Sequence, residues 1–330
     1  MSFEFPDIHA ICCKEEILQR YSEQHRYFHT FDHVLNILSQ IHEYYIKNPS
    51  FESVCMKVQM QHAAIFHDIV YDPKRNDNEE QSVKLMREIQ GYYNYGKEVE
   101  TIILNTKEQF PNHTASQVFN YFDRKSLFGS FPELIDYGNK IWKEYSFHSY
   151  PDFIKGHIAV IDSFALAGNK IELNAYKEYV RNRKIRLAIY PGSFNPLHKG
   201  HKYILNHANK LFDKVVLAVG MNPDKTDVKK EFDKESIDII GAEYFESIKF
   251  SGMLSDLVSH YESMGYDVTI VKGIRNGNDL ESENIQRRFL LAIKPELKYV
   301  YLPTSNEFSH ISSSAIRNLI SFGKDVSNYV

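Results

Sequence analysis

The hydrophobic rhythm of the chain changes near residue 183. From about Glu15 to Tyr179 apolar side chains recur at helical spacing: Ile17, Leu18 and Tyr21 share one face, and Val34, Leu35, Leu38 and Ile41 share another. Gly and Pro are sparse in this half, and the prolines fall between periodic runs, at Pro49, Pro73, Pro111, Pro132 and Pro151. The pattern predicts an all-α helical bundle over 1–182. After Lys184 the apolar runs shorten to strand length, at 185–190, 214–219, 268–271 and 299–302, with helical stretches such as Lys202 to Phe212 between them. Strands alternating with helices predict an α/β domain over 183–330, a Rossmann-like, doubly wound parallel sheet. The join, 178–184, holds no Gly or Pro and reads as a helix end passing almost directly into the first strand.

A length of 330 residues suits two domains, and 43% hydrophobic with 25% charged residues is ordinary for a globular chain. The net charge of −4 provides no overall field to gather nucleic acid or an anionic membrane, so any phosphate binding is local. The start of the chain lacks the basic and apolar regions of a signal peptide, and no apolar run approaches the roughly 20 residues that span a bilayer. A cytoplasmic protein is expected. Cys12, Cys13 and Cys55 have no metal-site spacing, and the adjacent pair is expected to be buried as small apolar residues in a reducing compartment.

The first strand runs into Tyr190-Pro191-Gly192-Ser193-Phe194-Asn195-Pro196-Leu197-His198-Lys199-Gly200-His201. In a doubly wound sheet, ligands bind where strand C-termini open into such turns. Gly192 lets backbone approach a phosphate, and Ser193 adds N–H and hydroxyl donors. The next helix should begin near His198 or Gly200 and aim its positive end at an anion. His198 and His201, three apart, then share a face of its first turn.

This string resembles the nucleotidyltransferase superfamily with the H-x-G-H motif, and residues 185–330 most resemble its bacterial-type phosphopantetheine adenylyltransferases. Three more segments carry the likeness: Asn222 to Lys225, Val271 to Glu283, and Phe308 to Arg317. The resemblance implies adenylyl transfer from ATP to a phosphorylated small-molecule acceptor, 4′-phosphopantetheine, with Mg²⁺ on the triphosphate. It implies His201, Lys225 and Arg275 as catalytic residues. ATP would meet Ser193, Phe194, His198, His201, Gly273, Ile274, Arg275, Glu283, Phe308, Ser309, His310, Ile311, Ser312, Ser313 and Ser314. The acceptor would meet Ser193, Lys225, Leu254 and Lys272. A homo-oligomer is expected by the same likeness. The chain departs from the pattern at Asn195 (usually Asp), Lys272 (usually Arg) and Phe308 (usually Trp). His198 is common in relatives that adenylylate nicotinamide mononucleotide, so that acceptor stays open as an alternative.

In the helical half His29, His33, His67, Asp68 and Asp123 stand out. An imidazole beside a carboxylate inside a helical bundle can hold a divalent metal, which binds phosphate and acidifies a water. Arg26 to Val34, Phe66 to Asp72 and Asn78 to Ser82 resemble metal-dependent phosphohydrolases of the HD superfamily, over roughly residues 15–180. That likeness implies an HD-type bundle with a divalent transition metal on His33, His67, Asp68 and Asp123. Gln109 stands where the family has His, and Lys125 where it has a second carboxylate. A non-catalytic oligomerisation or docking module is the alternative for this half.

Overall fold

The computed structural model describes residues 8–48, 51–90, 96–164, 170–220, 233–237, 239 and 242–330. The chain divides into two compact units, 1–145 with 153–181, and 146–152 with 182–330. The expected division at 182/183 assigns 146–152 to the first unit; by packing they go with the second.

The first unit is helical among the described residues. Its elements are α1 (Ile8–Cys12), α2 (Glu15–Tyr21), α3 (Phe31–Lys47), α4 (Phe51–Phe66), α5 (Asn78–Gln90), α6 (Gly96–Leu104), α7 (Thr114–Asp123), α8 (Phe131–Glu144), the greater part of α9 (Tyr150–Phe164) and most of α10 (Lys170–Asn182). One apolar core joins Ile17 and Tyr21 of α2, Val34, Ile37 and Ile41 of α3, Met60 to Phe66 of α4, and Phe119 and Phe122 of α7. Leu18 and Leu35, expected on the buried faces, are instead 41% and 48% exposed. Each lies one residue beside the i, i+3, i+4 stripe that the core selects. The expectation for the cysteines is also corrected: Cys12 is half-buried and Cys13 exposed, just past the end of α1. Among the described residues no helix is long and apolar enough to cross a membrane.

The second unit alternates β1 (Arg186–Gly192), α11 (Lys199–Leu211), β2 (Lys214–Gly220), β3 (Asp233–Ser236), β4 (Glu246–Ser251), α12 (Leu254–Ser263), β5 (Asp267–Ile274), α13 (Gly277–Ile293), β6 (Tyr299–Pro303) and α14 (Ser313–Ser321). The six strands are ordered β3-β4-β2-β1-β5-β6. All neighbours run parallel except β3 with β4, so the all-parallel expectation is corrected at one edge. From β1 the chain moves through α11 to β2 on one side; from β5 it moves through α13 to β6 on the other. Adjacent strands that leave in opposite directions open a crevice beyond their C-termini. In this unit the crevice lies between the ends of β1 and β5.

Candidate functional site

A cavity of about 270 Å³ fills that crevice. Its walls include His198, Gly200 and His201 from the start of α11, Lys272 and Gly273 from the end of β5, and Arg275 from the turn after it. Asp279, Ser282 and Glu283 come from α13, and Phe308, Ile311, Ser312 and Ser313 from the approach to α14.

Local physics fixes each piece. His198 is the N-cap of α11: its Nδ1 accepts from the His201 backbone N–H at 3.3 Å, and the two imidazoles stack with centroids 3.6 Å apart. Gly200 admits this stack, since a Cβ there would stand 3.1 Å from the His198 ring. Burial pushes the His201 imidazole down to about 3, helped by His198 and Arg275; burial and Arg275 push His198 down to about 4. Both rings are therefore neutral near pH 7. His201 Nδ1 is buried and has no hydrogen-bond partner among the described residues.

The cations in the cavity are held by carboxylates of one helix. Lys272 Nζ lies 2.9 and 3.1 Å from the two Glu283 oxygens. Arg275 donates to Asp279 through Nε at 2.8 Å and Nη2 at 3.0 Å, and through Nη1 to the Ile311 carbonyl at 3.3 Å. Ser312 caps α14 by accepting from the Ala315 N–H. Ser313 Oγ donates to the Pro196 carbonyl, and Arg317 donates to the Asn195 carbonyl, so the turn after β1 is tied to the first two turns of α14.

Of the expected residues, His198, His201, Lys272, Gly273, Arg275, Glu283, Phe308, Ile311, Ser312 and Ser313 share this cavity. Ser193, Ile274, Ser309, His310, Ser314 and Leu254 are outside its wall; Leu254 opens α12. Phe194 is buried with a positive φ of 46° and presents its ring to His201 edge-on, centroids 5.1 Å apart. Lys225 lies outside the described residues. Sequence reasoning missed Tyr190, Asp279, Ser282 and Thr304, which also line the cavity. Asp279 had a signal, an acid four residues after Arg275 at the start of a helix.

In the first unit, His33, His67 and Asp123 bring ligand atoms within 4.8 Å of one another. His33 Nε2 is 3.0 Å and His67 Nε2 3.4 Å from Asp123 Oδ1, while Asp68 Oδ2 is 2.9 Å from His67 Nε2. Ligands set at right angles about one ion at roughly 2.1 Å stand about 3 Å apart, so these spacings fit a metal. The His67 ring is turned for it: Nδ1 donates to the Ala64 carbonyl at 3.1 Å, leaving Nε2 toward the carboxylates yet aligned for a hydrogen bond with neither. Burial opposes charge on His67, but Asp68 and Asp123 outweigh it and hold its pKa well above the ordinary value. Beside the cluster, His29 Nδ1 is 2.7 Å from Glu144 Oε2, whose other oxygen accepts the backbone N–H groups of Tyr27, Phe28 and His29. Gln109 is exposed and lines a separate cleft with Phe110, Asn120, Tyr121 and Arg124.

Residues 189–319 match the cytidylyltransferase-like family. The chain is similar to the phosphopantetheine adenylyltransferase of Lawsonia intracellularis, 33% identical over 157 residues that cover 46% of this chain and 87% of the relative. The enzyme of the same name from Porphyromonas gingivalis is 37% identical over 157 residues, covering 44% and 95%. That from Heliobacterium modesticaldum is 34% identical over 149 residues, covering 44% and 85%.

Proposed function

The chain belongs, through its C-terminal half, to the phosphopantetheine adenylyltransferase family, and from that premise we propose that residues 183–330 transfer the adenylyl group of ATP to 4′-phosphopantetheine, giving dephospho-coenzyme A and pyrophosphate. The supporting observation is the convergence of His201, Lys272, Arg275 and the N-terminus of α14 on one cavity at the sheet's crevice.

The acceptor phosphate attacks the α-phosphorus in line and pyrophosphate leaves, so the protein contributes positioning and charge neutralisation and needs no covalent intermediate. The neutral His201 ring donates an N–H to an α-phosphate oxygen as charge builds there. Lys272, with Lys225 and Ser193, receives the acceptor phosphate, and Leu254 borders the acceptor's pantetheine arm. Arg275 and the free N–H groups of α14 receive the β- and γ-phosphates. Mg²⁺ bound to the triphosphate would supply further charge neutralisation there. Pyrophosphate release with ATP, Mg²⁺ and 4′-phosphopantetheine, compared with nicotinamide mononucleotide as acceptor, tests the reading. Release with the nucleotide acceptor alone would replace it by the alternative, and release with neither would refute adenylyl transfer to these acceptors.

For the helical unit we propose a metal-dependent phosphohydrolase centre of the HD type on His33, His67, Asp68 and Asp123. The spacing of the first, second and fourth of these carries it. The residues fit a divalent transition metal, which when bound would activate a water for attack on phosphorus. Elemental analysis of the purified protein should find such a metal in near-equimolar amount, lost in His67→Ala and Asp123→Ala. A metal-free protein with no phosphatase activity after adding Mn²⁺, Co²⁺ or Ni²⁺ would leave the docking-module alternative.

A further inference from the structure

We propose that the Lys272–Glu283 ion pair couples the two substrate positions, so that acceptor and nucleotide bind with positive cooperativity; the inference rests on the adenylyltransferase reading. Lys272 ends β5, Glu283 sits in the second turn of α13, and both face the cavity that holds His201. The ammonium is shared between both carboxylate oxygens, at 2.9 and 3.1 Å, with the two side chains only 15% and 23% exposed. Solvent screening there is weak compared with a surface pair, so the contact is expensive to open.

Each substrate has a reason to open it. A phosphate arriving at Lys272 places its negative charge beside the carboxylate that already occupies the same nitrogen. Repulsion between the two anions drives Glu283 off. A carboxylate can only accept hydrogen bonds, so what a nucleotide offers Glu283 is its donors, the ribose hydroxyls or the adenine amino group. Accepting them turns the carboxylate away from Lys272. The cost of separating the pair thus falls on whichever ligand binds first, and the second finds both groups already free. By linkage the gain is mutual: each ligand raises the affinity of the other by the same factor. Lysine matters to the device. An arginine fork could keep the carboxylate on one edge and take the phosphate on the other, and the two sites would then fill independently.

Calorimetric titration of the full chain with α,β-methylene-ATP and Mg²⁺, with and without saturating 4′-phosphopantetheine, reads the coupling without turnover. In the wild type the acceptor is expected to lower the Kd of the analogue about five-fold or more. Glu283→Gln should bind the acceptor alone more tightly than wild type and show a coupling factor near one. Lys272→Arg should still bind the acceptor and also show a reduced factor. A wild-type factor of one, or the same factor in both variants as in wild type, overturns the coupling while leaving adenylyl transfer standing. Failure of either ligand to bind the wild type sinks the adenylyltransferase reading and the coupling with it.

Discussion

At the scale of single residues, the adenylyl transfer proposed for the second unit relies on an uncharged His201. Burial and two cationic or potentially cationic neighbours hold the ring down to about 3. A neutral imidazole is still a hydrogen-bond donor, and one aimed at the α-phosphate is strengthened as negative charge develops. His201→Ala is expected to lower kcat by about 10²–10³ while changing the Kd of a non-hydrolysable ATP analogue far less; equal losses in both would make His201 a ground-state ligand only. The depressed pKa has a sign for stability. His201 titrates near 6.5 when unfolded, so its neutral burial is fully compatible with folding above that pH. Its contribution turns unfavourable as pH falls from about 6.5 toward 3, because the unfolded chain takes up a proton that the folded one refuses. The melting temperature of the ligand-free second unit should drop over that window, and less steeply in His201→Gln; an unchanged slope would remove His201 from the account. His201 and Arg275 were legible as candidates because they stand in segments that together resemble the H-x-G-H nucleotidyltransferases. The partner of Lys272 was not. Nothing in residue order says that Lys272 would meet Glu283, eleven positions away across a turn, until β5 and α13 are folded together.

At the scale of elements, the helices and the four apolar strands are readable because their pattern is set by burial. β3 and β4 escaped for a physical reason. β3, Asp233–Ser236, is entirely polar, as suits a strand at the end of the sheet order, paired with β4. β4 mixes Ser247 and Ile248 on its buried positions with Lys249 between Ile248 and Phe250, and this short pattern matches neither a buried run nor strict alternation. The crevice itself was legible in outline, since alternating β and α places it beyond the strand C-termini, yet its width depends on packing. At Gly273 of β5, a Cβ would stand 2.9 Å from Ile204 Cγ1 of α11 and 3.5 Å from the Tyr190 hydroxyl. Gly273→Ala should therefore push α11 from the sheet or force Ile204 off its rotamer, at a cost of about 1–3 kcal/mol. Because α11 carries His201, the variant should also lose turnover; combined with Ile204→Ala, which removes the Cγ1 that the new methyl meets, its losses should be less than additive. Calorimetry and pyrophosphate release measured on the single and double variants decide it, and additive losses would show that the two sites do not touch.

At the scale of the whole molecule, chain order and packing order differ. Residues 146–152 precede the last helices of the first unit but pack within the second. The reason is a charge: Lys214, at the start of β2, is fully buried, and its ammonium is held by the carbonyls of Ser146 and His148 at 2.6 Å each and by Glu246 at 2.7 Å. Tyr266 adds a hydroxyl that accepts the Tyr150 N–H. No local signal announces this, because an isolated lysine ahead of an apolar strand reads as a solvated flank, and the backbone carbonyls that neutralise it belong to residues some 66 positions away. A buried ammonium survives only if its hydrogen bonds are complete. Lys214→Met in the full chain takes the cation from Glu246, which keeps the Tyr261 hydroxyl on its other oxygen, and takes a donor from two carbonyls; it is expected to cost roughly 3–5 kcal/mol, or about 10 °C in the melting of this unit. The same substitution in a fragment beginning at Arg183 should cost less, because that fragment has already lost both carbonyls. If instead the penalty is equal in fragment and full chain, residues 146–152 contribute nothing to the second unit's stability, and the division of the chain reverts to a single cut before β1.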